Sequence, residues 1–204
     1  MKTEGLISGR GAVQFRAWDV DFGPTQWDDR DVWTEIDDYL KRNDVRSAAA
    51  LLRHYLEHIS AELCHRLRAP VEFHADAQFQ LGELLPAAVN HLRKIYAHAK
   101  EAANSWNQKD VVAAIGERDT GFVDSARQSN VEQWQVNAAV HYNSWDNLTK
   151  EDFSPVVKAF RNLVTSFNCA DCGEILRVTP ERETAEALRC DCGKTSLNLR
   201  KKTA

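Results

Sequence analysis

Four of the five cysteines in this chain of 204 residues fall into two tight clusters near its C-terminal end. The first cluster is Cys169, Ala170, Asp171, Cys172 and Gly173; the second is Cys190, Asp191, Cys192 and Gly193. Nothing else in the sequence restricts the fold as much. Two thiolates two or three positions apart can grip a single tetrahedral ion, and the glycine after each pair lets the backbone turn beneath the sulfurs. With 17 residues between them, the two pairs make the complete four-sulfur set that Zn2+ prefers. The alternatives are disulfides or unrelated free thiols. A four-cysteine set is coordinatively closed, so zinc on Cys169, Cys172, Cys190 and Cys192 is expected to be structural, with no position open to a substrate.

Each cluster is followed by a stretch of strand character, Glu174 to Val178 and Thr195 to Leu199. That is the layout of a zinc ribbon. A unit of about 35 residues has too little apolar bulk to fold unaided, so metal binding is expected to supply most of its folding free energy.

Upstream the pattern is helical. Val32, Trp33, Ile36, Tyr39 and Leu40 recur at three- and four-residue steps from Asp29 to Asn43. Asp44 is placed to cap a long second helix with Leu52, Leu56, Ile59 and Leu63 on its apolar face. Arg68, Ala69 and Pro70 end it, because the residue before proline avoids the helical region. A third helix runs from Leu81 to about Ser105, with Pro86 expected in its first turn, and a fourth continues to about Arg127. A weaker helix is expected over Val131 to Ala139. Thr149 and Asp152 form the pattern of a capping box, opening a helix that runs through Phe167 straight into Cys169.

At the other end, Val13 to Phe22 reads as one strand with a bulge, closed by Gly23 and Pro24. A lone strand must pair with a partner chain, a missing domain or the zinc-bearing tail, and Gly5, Gly9 and Gly11 lead into it as if the chain opened within a larger architecture. The predicted fold is mainly α: a helical bundle or helical hairpin with an N-terminal β-strand and a small C-terminal β zinc ribbon. Its expected divisions are a strand segment over 1–28, a helical domain over 29–167, and the ribbon with a basic tail over 168–204.

Composition excludes several classes. With 43% hydrophobic and 27% charged residues, the chain is neither disordered nor collagen-like. There is no Walker A motif, dinucleotide glycine fingerprint, His-Glu-x-x-His or Gly-x-Ser-x-Gly, so the usual nucleotide, redox and hydrolase machinery is not visible. No run of 18 apolar residues and no signal peptide occurs, and reduced thiols suit the cytoplasm, so a cytoplasmic chain without a membrane partner is expected. The net charge of −4 does not announce a nucleic-acid binder, although its distribution is uneven. Its basic residues nonetheless gather about the second cysteine pair and the tail: Arg189, Lys194, Arg200, Lys201 and Lys202 are the candidate nucleic-acid contacts.

Two other groups invite chemistry. Arg53 and His58 match the loose Arg-polar-x-x-x-His pattern of HEPN-type ribonucleases, where arginine steadies phosphate charge and histidine moves a proton. On an ideal helix the two residues lie about 140° apart, which favours a solvated face over an active centre. Trp134, His141, Tyr142 and Trp145, set among asparagines, can stack bases or pin a loop.

The run Val140 to Trp145, the helix from Phe153 to Phe167 and the cysteine pairs together resemble the C-terminal end of bacterial SMC-like or RecF/RecN-type ATPases of DNA repair and phage defence. Ala17 to Val20, Gly23, Pro24 and Ala48 to Leu67 are similar to the region that follows the last nucleotide-binding motifs of those proteins. The resemblance implies a non-catalytic arm and ribbon, with a P-loop ATPase domain or subunit as partner. The chain departs from the family in lacking both Walker segments.

Overall fold

The computed structural model describes residues 15–19, 23–26, 31–72, 74–75, 79–140, 149–179 and 186–202, with side chains from Asp31 onward except at 131–140. The chain divides into two units, residues 1–35 and 36–204. The first contains β1 (Phe15–Asp19) and β2 (Gly23–Gln26), antiparallel, with Ala17 opposite Thr25 and Trp18 opposite Pro24. Gly23 and Pro24, read as a closing turn, thus lie within β2.

Helix α1 (Val32–Lys41) crosses the boundary between the units, and α2 (Val45–Leu67), α3 (Leu81–Ser105), α4 (Lys109–Val140) and α5 (Lys150–Thr165) build the second. Three of these helices stop in the same way. Asn43, Arg68 and Asn107 take left-handed φ of 58°, 57° and 57° after α1, α2 and α3. In each case the next amide reaches back five residues: Asp44 to Tyr39, Ala69 to Cys64 and Gln108 to Ala103. This is the Schellman arrangement, which satisfies carbonyls that a helix end leaves bare. Helix α2 therefore ends at Leu67 through Arg68 itself, before the restriction imposed by Pro70 comes into play.

Helix starts follow their capping residues. The Asp44 carboxylate accepts the Ser47 amide at 3.1 Å, and the Thr149 hydroxyl accepts the Asp152 amide at 3.3 Å while Asp152 accepts the Thr149 amide at 3.1 Å. Two expectations need correction. Pro86 is the sixth residue of α3, so the bond it forgoes is one to the Gly82 carbonyl in the second turn. The fourth helix and the weaker fifth one expected from the sequence are one continuous α4. Gln128, Ser129 and Asn130 are polar but contain no helix breaker, and Ser129, 3% exposed, folds its hydroxyl onto the Ala126 carbonyl at 2.9 Å.

The core of the second unit is apolar and continuous. Helices α2, α3, α4 and α5 pack together, burying Leu52, Leu56, Leu63, Leu92, Phe153 and Phe160. At its centre Phe122 of α4 meets Tyr96 of α3 edge-on at 6.1 Å and Phe167, just past α5, at 5.1 Å. Phe167 lies two residues before Cys169, so the aromatic row leads from the helical core to the cysteines.

The C-terminal sheet is antiparallel in the order β3 (Arg177–Val178), β4 (Ala187–Arg189), β5 (Ser196–Asn198). Its outer strands fall inside the two stretches of strand character; the central β4 was not anticipated. The sheet touches α2 through β3 and α3 through β5. Among the described residues no helix is long and apolar enough to cross a membrane.

Candidate metal centre

The first cysteine pair hangs from the end of α5. The Leu176 amide donates to the Phe167 carbonyl at 3.0 Å, Asn168 bridges to Ile175, and Arg118 of α4 donates to the Asn168 carbonyl at 3.2 Å. The second pair follows β4 directly. Both turns are closed alike: the Cys169 amide bonds to the Glu174 carbonyl at 2.7 Å and the Cys190 amide to the Thr195 carbonyl at 3.0 Å. Gly173 and Gly193 both sit at φ 77°, a left-handed conformation that favours glycine.

The four sulfurs of Cys169, Cys172, Cys190 and Cys192 all lie within 4.8 Å of one another. Across the two pairs, Cys169 to Cys192 is 3.7 Å and Cys172 to Cys190 is 3.2 Å. A disulfide needs about 2.05 Å, and all four thiols are free. Zn–S bonds of about 2.3 Å in a tetrahedron would set the sulfurs about 3.8 Å apart. The two cross-pair spacings lie at and below that value and no sulfur pair exceeds 4.8 Å, so the donor set fits a four-thiolate metal site in number and comes close to it in separation. Cys169 and Cys190 are buried, Cys172 and Cys192 exposed.

The electrostatics of the tetrad are uneven. The Thr195 hydroxyl, 3.3 Å from the Cys169 sulfur, and then the amides of Asp171 and Cys172 bring that thiol down to about 6. At Cys190 the Cys192 amide pulls downward, but the Cys172 sulfur, burial and the other two sulfurs outweigh it and push the thiol up to about 12. The thiols titrate as one coupled set, and a metal bound by them would displace the protons they carry. Thr195, 7% exposed, is a contact of the tetrad that sequence reasoning missed. Its position two residues past Gly193 was the available signal.

Of the expected nucleic-acid contacts, Lys194, Arg200, Lys201 and Lys202 are exposed and Arg189 is half-buried, and three of the five have partners on this chain. Lys194 pairs with Asp171 at 3.6 Å, linking the two knuckles, and Lys201 pairs with Glu101 of α3 at 2.9 Å. The Lys202 ammonium lies 5.8 Å from the centre of the Trp106 ring and its amide donates to the Ser105 hydroxyl at 2.8 Å. The Arg200 carbonyl accepts the Trp106 indole N–H at 3.1 Å. The tail is therefore strapped along the corner between α3 and α4. Arg189 lines a cleft between the sheet and that same corner.

Arg53 and His58 are not brought together with a shared partner. Arg53 is engaged by Glu57 at 3.0 Å, whose other oxygen lies 3.7 Å from His54, and His58 is exposed. His141, Tyr142 and Trp145 lie outside the described residues, as does the side chain of Trp134.

No family model matches this chain, nor does any curated protein or solved structure.

Proposed function

We propose that this chain is a non-catalytic module in which a structural zinc ion on Cys169, Cys172, Cys190 and Cys192 fixes a ribbon to a helical body. The body and ribbon together form a docking element for a P-loop ATPase of the SMC-like kind that acts in DNA repair or phage defence. The observation that carries the metal half is the convergence of four sulfurs within 4.8 Å. Cys169, Cys172, Cys190 and Cys192 would hold the ion, which when bound supplies cross-linking and no open coordination position. The chain's own residues do the rest. The Cys169 and Cys190 amides close the knuckles, Thr195 donates to a thiolate, and Arg118 and Phe167 tie the ribbon root to the core.

The ATPase half is supported by the resemblance of the helices and cysteine pairs to the tails of those enzymes and by the lack of nucleotide machinery in the chain itself. A protein partner suits the ribbon better than nucleic acid, since Lys194 and Lys201 already face carboxylates. The expected contact is with a Walker-containing subunit or domain and takes place in the cytoplasm.

The test has two arms. Elemental analysis of the purified chain should give one zinc per chain, lost in Cys169→Ser. Co-expression with a Walker-containing ATPase encoded alongside should yield a complex that survives size exclusion. A metal-free chain that keeps its ribbon sheet would defeat the first half, and an ATPase that elutes separately the second. Salt-sensitive retention of DNA or RNA instead would return the basic tail to a nucleic-acid role.

A further inference from the structure

Each close contact between the two knuckles joins an exposed cysteine to a buried one. The sulfur of exposed Cys172 lies 3.2 Å from that of buried Cys190, and the sulfur of exposed Cys192 lies 3.7 Å from that of buried Cys169. A disulfide is about 2.05 Å long, so each pair stands about 1–2 Å from bonding distance. The two contacts use each of the four thiols once. The fifth cysteine does not compete, because Cys64 is buried on α2 and its thiol donates to the Leu84 carbonyl at 3.2 Å.

Four cysteines allow three pairings. Two bonds within the knuckles would leave them joined only through the short sheet, whereas two bonds across them fasten one knuckle to the other at two points. Both turns are closed by backbone bonds alone, Cys169 to Glu174 and Cys190 to Thr195, and Leu188 of β4 pairs with both Val178 and Leu197. Links across the knuckles therefore tie together turns that the backbone already shapes.

We propose that the tetrad is a two-state redox latch, in which a hydroperoxide converts the zinc-thiolate form into two disulfides, Cys172 with Cys190 and Cys169 with Cys192. The inference rests on the structural-zinc reading above and adds what holds the ribbon when the metal leaves. Cys172, as thiolate, attacks a peroxide oxygen; the O–O bond breaks, hydroxide leaves and the cysteine becomes a sulfenic acid. The Cys190 thiolate then attacks that sulfur, forming the S–S bond and expelling a second hydroxide. Two protons from solvent turn both hydroxides into water. The sulfur pair has lost two electrons and one hydrogen peroxide has been reduced. Cys192 and Cys169 repeat the sequence, so two peroxides consume four thiolates, and the ion, left without donors, is released. Chelation leaves four loose thiols; oxidation leaves two cross-links where the metal stood.

The full-length, zinc-loaded chain is treated with hydrogen peroxide beside a chromophoric zinc indicator, alkylated, unfolded and cleaved before aspartate. Cleavage at Asp171 and Asp191 parts the cysteines of each knuckle and leaves Cys172 and Cys190 together on residues 171–190. The expected products are that fragment, two hydrogens lighter, and residues 152–170 linked to residues 191–204. Either other pairing joins all three fragments into one. Cys64 should be alkylated, and Cys64→Ala should give the same map. One zinc should be released for every four thiols lost, and dithiothreitol with added zinc should reverse the change. Amide protection in β3, β4 and β5 should survive peroxide but not chelator. A chain that carries no zinc at the outset fails the structural-zinc reading and the latch with it. A chain that carries zinc fails the latch alone if the three fragments emerge as one, if the thiols pass to sulfinic acid without a disulfide, or if peroxide strips the strands of protection as chelator does.

Discussion

The hydroxyl of Thr195 lies 3.3 Å from the sulfur of Cys169, reaching from the second knuckle into the first. Hydrogen bonds from groups just outside a metal's ligands orient those ligands, and losing one typically costs 10–100-fold in affinity. Thr195→Val should therefore weaken zinc binding about tenfold in competition with a chromophoric chelator. Thr195→Ser should stay close to the parent. Equal affinities for all three proteins would show that the hydroxyl is only filling space.

Chelation should act locally. The ribbon buries few large apolar residues, chiefly Leu176 and Leu188, whereas the helical core is built from many. Stripping the metal is expected to abolish amide protection in β3, β4 and β5 while far-ultraviolet circular dichroism keeps the helical signal. Loss of both together would mean that the helices depend on the ribbon.

Phe122 is 1% exposed and edge-on to both Tyr96 and Phe167. Phe122→Ala should cost about 3–5 kcal/mol in urea denaturation. Because Phe167 anchors the ribbon root, the same variant should also speed metal release. A destabilised chain with unchanged release kinetics would separate the aromatic row from the metal centre.

A gain of stability is expected at Arg68. It is exposed and takes a left-handed φ of 57°. The left-handed conformation costs a non-glycine residue about 1–2 kcal/mol, of which glycine's greater freedom in the unfolded chain takes back up to about 1. Arg68→Gly should stabilise by about 0.5–1 kcal/mol, seen as a higher denaturation midpoint with unchanged slope. A lower midpoint would mean that the arginine has a role beyond the helix end.

Acid should loosen two helix starts. The Thr149 hydroxyl holds Asp152 below the ordinary carboxylate range, and Ser47 does the same for Asp44. A carboxyl whose folded value is lowered contributes stability that is present above its unfolded value and is lost as pH falls through the folded one. The capping contributions at α5 and α2 should therefore persist through neutrality and disappear only on the acid side of the ordinary carboxylate range. A carbon-detected NMR titration should show the Asp152 midpoint moving upward in Thr149→Val. An unmoved midpoint would dissociate the cap from the shift.

Much of this architecture is legible in the sequence because local rules govern it. Asp44, Thr149 and Asp152 announce helix starts by their own chemistry, and the apolar spacing in α2 and α5 names the buried face. The four cysteines were legible because their chemistry depends on spacing. What escaped depends on contacts distant in sequence. The continuity of α4 past Asn130 is hidden by polar residues that a helix tolerates, and β4 is three residues long, too short to show a period. Arg189 looked like part of a charged tail because only the folded sheet reveals that it lines a cleft under α3 and α4.

The two knuckles differ in cysteine spacing yet close over the same length of chain. Cys169 and Cys190 each bond to a carbonyl five residues ahead, at Glu174 and Thr195. The second knuckle has one residue fewer between its cysteines and one more after its glycine, so the omission and the addition cancel. An alignment that insists on matching Cys172 to Cys192 must open a gap and then an insertion within a few residues, and a search written for two identical cysteine pairs will pass this chain over. Distant relatives are better sought by a pattern that fixes the first cysteine and the closing carbonyl, and lets the second cysteine and its glycine slide between them.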